Sequence, residues 1–130
     1  MVRHLAIFKG DGAEKILSGE KTIESRFARR RIPPFGVISS GDLVYIKPSG
    51  KDIIGQFRVR KVVFYDGFDL SDLNDLEKRY GKELAVGAEY WEKIKNSLYC
   101  TLIFIGDSSR FITSPVKIKK SDMRGWVVLG

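Results

Sequence analysis

The sequence has little of the chemistry that marks metal, disulfide-bonded or membrane proteins. Its 130 residues include one cysteine, Cys100, and one histidine, His4, which excludes an intramolecular disulfide and argues against a structural zinc site. No apolar run approaches the roughly 20 residues that span a bilayer. The apolar stretch after Arg3 is also too short for a signal peptide. We therefore expect a cytoplasmic protein that uses no metal, no cofactor and no membrane.

The composition otherwise fits a globular protein. Hydrophobic residues make up 43% of the chain and charged residues 30%, which predicts one domain over residues 1–130 with a core that needs no cross-links. Lysine and arginine total 23 against 16 acidic residues, a net charge of +7. Such an excess attracts polyanions, of which nucleic acid is the commonest, but it also serves solubility. Charge alone leaves both interpretations open.

Strand and helix patterns are mixed irregularly along the chain. Strand patterns cover residues 3–8, 22–27, 42–47, 53–65, 99–105, 116–118 and 126–129. Helix patterns cover residues 13–18 and the stretch from 69 to 94, where Gly81 would separate two helices. Asp11 is a candidate helix cap, as is either Asp69 or Ser71 for the later helix, and residues 106–109 read as a turn. Gly55 suggests a close approach or a kink, and residues 61–64 a bulge or bend that curves the sheet. About six strands with grouped helices predict an α+β fold with a closed or nearly closed barrel.

The most distinctive segment is residues 19–26, Gly-Glu-Lys-Thr-Ile-Glu-Ser-Arg, which brings a lysine, a carboxylate and an arginine within six residues. Gly19 follows a short helical pattern and is typical of a left-handed C-cap. The next residues alternate in polarity, so a strand would direct Glu24 and Arg26 to the same face, with Lys21 free at the turn. The spacing alone favours a solvated edge of mixed charge. At a barrel mouth the same groups would bind an anion or a base edge.

The long connection after this strand, residues 28–41, carries the densest run of positive charge, Arg29, Arg30 and Arg31. Two prolines follow, so the segment cannot continue a central strand. Such a run is usually a solvated loop, and contact with phosphates is the second interpretation. A further basic strand face would extend the patch if it lies on the same side; it comprises Arg58, Arg60 and Lys61.

The remaining reactive residues suggest no catalytic set. His4 is expected to be a packed core or rim residue, and Cys100 an inert buried thiol. Ser108 and Ser109 have no histidine near them in the sequence, so a Ser-His-Asp arrangement is not supported.

The pattern Gly19-x-Lys21-x-x-Glu24-x-Arg26 after a short helix resembles the signature of the ASCH family of the PUA-like superfamily. The resemblance extends over almost the whole chain, through residues 41–46, 54–63, 111–116 and 124–129. It implies an α+β fold, a PUA-like mixed β-barrel of about six strands with helices packed outside. It also implies that Lys21, Glu24 and Arg26 line a cleft at the barrel mouth.

The same resemblance implies a general role in binding RNA, in RNA metabolism, translation or transcription coactivation. Some small bacterial members are amidohydrolases that deacetylate acetylated cytidine, and some have ribonuclease activity. The amidohydrolases use a lysine, a threonine and a distant glutamate. Lys21 matches the lysine, but Glu24 stands where the threonine is expected, and Thr22 lies two positions away. A carboxylate is a poor substitute for an activated hydroxyl, so this departure weighs against that nucleophile.

Three functional hypotheses follow. The first is a module that binds RNA or a nucleoside-like ligand through Lys21, Thr22, Glu24, Arg26 and the loop Arg29–Arg31. The second is a hydrolase that acts on modified nucleosides or RNA, with Lys21 and Glu24 as its catalytic residues, Lys21 acting as base and water as nucleophile. The third is a protein-interaction domain that uses its helical face. The sequence leaves the oligomeric state open.

Overall fold

The computed structural model describes residues 1–113 and 124–130. The strands, in chain order, are β1 (Arg3–Phe8), β2 (Ile23–Ala28), β3 (Leu43–Pro48), β4 (Gly55–Asp66), β5 (Tyr99–Arg110) and β6 (Trp126–Val128). The helices are α1 (Gly12–Ser18), α2 (Leu70–Leu84) and α3 (Ala88–Ile94). The alternation predicted at residues 116–118, and residues 114–116 of the segment used for the family resemblance, lie outside the described residues.

The six strands form one mixed sheet in the order β2-β5-β4-β3-β1-β6. The β1–β3 pair is parallel, and the other neighbouring pairs are antiparallel. The sheet curls into a half-barrel whose two edge strands are β2 and β6. This confirms the α+β fold with a six-stranded barrel. The barrel is open on one side, and the side chains that span this opening form part of the site described below.

The two longest strands, β4 and β5, curve together through irregular pairing. Their register shifts between Gln56 and Arg58 and again between Val59 and Lys61, which places the bulges slightly before the predicted position. A Cβ atom on Gly55 would lie 2.5 Å from the backbone oxygen of the β5 residue Ser109, so the predicted close approach is confirmed. The predicted turn at residues 106–109 is wrong, because this stretch continues β5 and pairs with the start of β4.

The helices differ from the sequence prediction in two details. Asp69 caps α2 as expected: its carboxylate accepts from the Asp72 N–H, and the Asp72 carboxylate accepts from the Asp69 N–H. Gly81 does not end this helix, which continues for three residues to the buried Leu84. A glycine costs a helix only about 1 kcal/mol, less than the burial of a leucine returns. Asp11 occupies the N-cap position of α1 without a side-chain cap hydrogen bond.

Strand β5 divides the hydrophobic core into two parts. Alternate side chains, Cys100, Leu102 and Phe104, face α2 and α3, whereas Ile103 points into the half-barrel toward α1. Burial raises the pKa of the Cys100 thiol, which fits the predicted inert cysteine. None of the helices in the described ranges is both long and apolar enough to span a membrane.

His4 is fully buried and forms a hydrogen-bonded network, which confirms its expected structural role. The Trp126 indole N–H donates to His4 Nδ1 over 3.1 Å, so Nδ1 carries no proton and Nε2–H donates to Asp42 Oδ2 over 2.8 Å. Burial of Asp42 favours a higher pKa, but hydrogen bonds from His4 and from the N–H groups of Val2 and Ser39 outweigh it and hold the pKa below its usual range. The network ties β1 to β6 and to the start of β3.

Candidate functional site

A large cleft lies along the open side of the half-barrel. Its volume is about 1040 Å³, at the upper end of the roughly 300–1,000 Å³ typical of small-molecule sites. Residues of β2 line it, as do residues of the segment 85–90, which includes the start of α3. Lys21, Glu24 and Arg26 all line it, so the structure brings together the three residues that the sequence singled out.

Lys21 is held in the cleft wall by the turn before β2. Gly19 ends α1 in the left-handed conformation, with a φ of 85°, and the Lys21 N–H then donates to the Lys15 carbonyl. The Lys21 ammonium donates to the carbonyl of Leu84, at the C-terminal end of α2, where cations are favoured. Its side chain is only 4% exposed. The expectation that Lys21 is free to lean toward either face is therefore wrong.

Glu24 lies between two cations. Its Oε1 is 3.3 Å from Lys21 Nζ, and its Oε2 accepts from Arg26 Nε over 2.9 Å. The Glu24 side chain is 8% exposed, so its negative charge is compensated by neighbouring protein groups rather than by bulk water. The contact with Arg26 confirms that the two side chains share one face of β2.

Arg26 spans the open side of the half-barrel. Besides the contact with Glu24, its Nη1 donates to the carbonyl of Gly125 over 3.1 Å and its Nη2 to the carbonyl of Ile7 over 3.0 Å. The guanidinium also lies 4.9 Å from the ring centre of Phe8 and 5.1 Å from that of Trp126. Three of its five N–H groups are thus engaged: one contacts Glu24 on the same strand, and two join edge strand β2 to β1 and to the residue before β6. At most two remain for a ligand.

Ser25 and Tyr90 also line the cleft, and sequence reasoning missed both. Their hydroxyl oxygens lie 2.7 Å apart, and the Tyr90 hydroxyl is 3.2 Å from the Ser25 carbonyl oxygen. Burial, and then the nearby charge of Glu24, raise the pKa of Tyr90, so its hydroxyl stays protonated and can donate. Because β2 is an edge strand, side chains from both of its faces border the cleft. No local pattern shows that a strand lies at an edge.

Further lysines and an arginine give the rim of the cleft a positive charge. The cationic residues there are Lys9, Lys15, Lys93 and Arg124. Lys15 is engaged, since its ammonium donates to the Ala85 carbonyl over 2.9 Å and lies 3.4 Å from Asp11. Lys9 and Lys93 are exposed and form no ion pair within residues 1–113 and 124–130. Lys9 and Lys93 line the same cleft although 84 residues separate them in the sequence, so the sequence alone does not group them.

The other predicted binding residues lie elsewhere. Thr22 is exposed, precedes β2 and does not line the cleft. Arg29, Arg30 and Arg31 are exposed on the loop after β2, outside the cleft lining. Their role in binding stays a prediction.

The basic face of β4 does not extend the cleft either. Arg58 donates to the carbonyl of Gly41 over 2.8 Å, while the cationic groups of Arg60 and Lys61 lie 6.0 and 5.1 Å from the Phe104 ring centre. Across the part of the chain that the structure describes, no three His, Cys, Asp or Glu side chains group as metal ligands.

Comparisons with known proteins give a likeness in structure rather than in sequence. No family model and no curated protein matches the sequence. The ASCH protein of Zymomonas mobilis matches at a TM-score of 0.66 with 23% identity, over 83% of this chain and 69% of that one. A serine-to-alanine variant of that protein matches at a TM-score of 0.75 with 20% identity, over 98% of this chain and 88% of that one. The chain therefore has the fold of this ASCH protein, an α+β half-barrel.

Proposed function

We propose that this protein binds RNA or a nucleoside-like ligand in the cleft beside β2. The observation that carries the proposal is the row of alternating charges Lys21–Glu24–Arg26, the first two of them buried, in the wall of a large cleft with a cationic rim. The ASCH-like fold supports it, since the family resemblance implies RNA binding.

The wall and the rim offer different chemistry. The wall presents a carboxylate, the remaining donors of two cations and the hydroxyls of Ser25 and Tyr90, which suits the polar edge of a base or a ribose. The rim presents Lys9 and Lys93, exposed and without ion-pair partners in the described ranges, which suit phosphates. A nucleotide in RNA needs both kinds of contact.

The rim lysines provide the cleaner test, because Lys21 and Arg26 also hold the fold together. We expect Lys9→Ala and Lys93→Ala each to weaken binding of a fluorescein-labelled single-stranded RNA of about eight nucleotides. Each should also reduce the slope of log affinity against log salt by about 0.7, the value for one lost phosphate contact on a single strand. Fluorescence anisotropy at several salt concentrations measures both quantities.

Lys78→Ala is the matched control, since Lys78 is an exposed lysine on α2 outside the cleft lining. It should leave the affinity and the salt slope close to wild type. If all three variants bind the RNA equally well, the cleft is not the RNA site.

A hydrolase is the second candidate, because Lys21 and Glu24, the two groups that it would use, lie 3.3 Å apart in the cleft wall. Among residues 1–113 and 124–130 no threonine lines the cleft beside them, and Thr22 lies outside the lining. We therefore favour binding. Turnover of acetylated cytidine or of a structured RNA by the purified protein, abolished by Glu24→Gln in a folded variant, would reverse this preference.

A further inference from the structure

A second, smaller pocket lies on the other side of Arg26 from the cleft. Its volume is about 150 Å³. Arg26, Phe27 and Gly125 line both spaces, so the pocket and the cleft are neighbours separated by these residues. We call it the side pocket.

The side pocket has aromatic walls. Trp126 and Thr101, both buried, lie at its inner wall, and Tyr99 and Phe35 line it nearer the surface. Phe35 packs edge-on against Tyr99, with ring centres 5.2 Å apart, and against the exposed Phe64 at 5.4 Å. An apolar cavity of about 150 Å³ holds a benzene-sized ring. The side pocket is therefore suited to one single-ring heterocycle.

Three arginines lie in the chain between the pocket-lining residues Ala28 and Ile32. The Arg31 guanidinium lies 5.5 Å from the ring centre of Tyr99 and pairs with Asp66 at 2.6 Å. Arg29 and Arg30 are exposed and pair with no acidic group among the described residues. The exposed Ile32 continues the apolar lining to the surface. Aromatic rings flanked by unpaired cations are the arrangement with which proteins stack bases and hold the backbone of single strands.

We infer that the side pocket takes a pyrimidine base of a nucleotide next to the one held in the cleft, with Arg29 and Arg30 contacting the adjoining phosphates. This rests on the proposed function of the cleft and specifies its ligand as a single strand. Paired bases in a duplex cannot be splayed into two separate pockets, whereas unstacked bases of a single strand can. The inference also gives the arginine loop a role that the cleft alone does not.

The test compares short RNAs with a single nucleoside. The probes are labelled octauridylate and octaadenylate, measured by anisotropy, and adenosine, whose two-ring base is too large for the side pocket, measured by calorimetry. We expect Phe35→Ala to weaken octauridylate binding about tenfold, within the range that one stacked base contributes, and to leave adenosine binding in the cleft unchanged. Octaadenylate should bind more weakly than octauridylate to the wild type and lose less through Phe35→Ala.

Two further variants separate stacking from folding. Phe35→Tyr keeps a ring at this position and should retain the octauridylate affinity, while Leu70→Ala removes an exposed apolar side chain on α2 and should change nothing. If Phe35→Ala leaves octauridylate affinity intact while Lys9→Ala and Lys93→Ala lower it, the cleft binds RNA and the side pocket does not. If the wild type binds neither octanucleotide at low salt, the proposed RNA binding fails and this inference with it.

Discussion

Arg26 shows how a residue chosen from sequence for binding can serve the fold as well. Its guanidinium joins β2 to two backbone carbonyls across the open side of the half-barrel, and it packs between Phe8 and Trp126. It is also one of two cations that compensate the buried Glu24. The sequence pattern identified the charge correctly, but the distribution of its five N–H groups depends on carbonyls at residues 7 and 125.

At this position a lysine is not equivalent to an arginine. We expect Arg26→Lys to lower the free energy of unfolding by about 1–3 kcal/mol, because one ammonium cannot reproduce three donor directions to Glu24, Ile7 and Gly125. Urea denaturation at pH 7 measures the change.

Arg30→Lys is the control for this variant, since Arg30 is exposed and has no ion-pair partner among the described residues. It should shift the free energy of unfolding by less than about 0.5 kcal/mol. An Arg26→Lys protein as stable as the wild type would show that the guanidinium does not join the strands.

At the scale of strands and helices, the sequence predicted what depends on local pattern. The first strand, the Gly19 cap, the Asp69 cap and the shared face of Glu24 and Arg26 follow from periodicity and capping preferences, and the structure confirms them. Among the features that depend on tertiary pairing, the close approach at Gly55 was predicted, but the full length of β5 was missed. Residues 106–109 have turn composition, but pairing with β4 keeps them in β5.

The site shows the same division. Lys21, Glu24 and Arg26 were predictable because their pattern within six residues resembles the ASCH signature, whereas their spacing alone favoured a solvated edge. The other cleft residues Lys9, Tyr90 and Lys93 were not, because they come from β1–α1 and α3, which only the fold brings beside β2. The wrong prediction for Lys21 has a similar cause, since its partner Leu84 is 63 residues away.

Replacing glycine by alanine should change the free energy of unfolding in opposite directions at Gly55 in β4 and at Gly81 in α2. Gly55→Ala would place a Cβ 2.5 Å from the backbone oxygen of Ser109 and 3.0 Å from Leu17 Cδ2. Because the nearer atom belongs to the backbone of a paired strand, β4 and β5 must separate. We expect a loss of about 1–3 kcal/mol in the free energy of unfolding, measured by urea denaturation.

Gly81→Ala is the matched control, because the added methyl group would lie in open space. Gly81 lies within α2, and no atom lies within 4 Å of a Cβ built there. Alanine should raise the free energy of unfolding by about 0.5–1 kcal/mol, because it loses less backbone entropy in a helix than glycine does. Equal effects of the two substitutions would contradict the proposed contact at Gly55.

For the whole molecule, two separate surfaces of this chain of net charge +7 carry exposed cationic residues. One is the rim of the cleft, with Lys9 and Lys93, and the other is the loop that carries Arg29 and Arg30 beside the side pocket. Both surfaces adjoin Arg26, which lines the two pockets. A polyanion long enough to cover both would use the charge excess more fully than a single nucleoside can.

The buried titratable groups also predict how the stability of the whole molecule depends on pH. Burial raises the pKa of Cys100 above its ordinary 9.0, and burial together with Glu24 raises that of Tyr90 above 10.0. The folded protein therefore holds protons that the unfolded chain releases, so stability is fully present below about pH 9 and falls as the pH rises further. Asp42, whose folded pKa lies below its ordinary 3.8, adds stability that is lost as the pH falls through that folded pKa.

The alkaline side of this profile can be assigned to a residue. Between pH 9 and 10 the unfolded thiol of Cys100 ionises while the folded thiol does not, which lowers the free energy of unfolding by up to about 1.4 kcal/mol per pH unit. Urea denaturation of the wild type and of Cys100→Ala at several values from pH 7 to 10.5 measures it. The variant loses packing at every pH, so the informative quantity is the slope, which should be shallower than in the wild type above pH 9. Parallel profiles across this range would mean that Cys100 ionises equally readily in the folded and unfolded states, and that another group causes the alkaline loss.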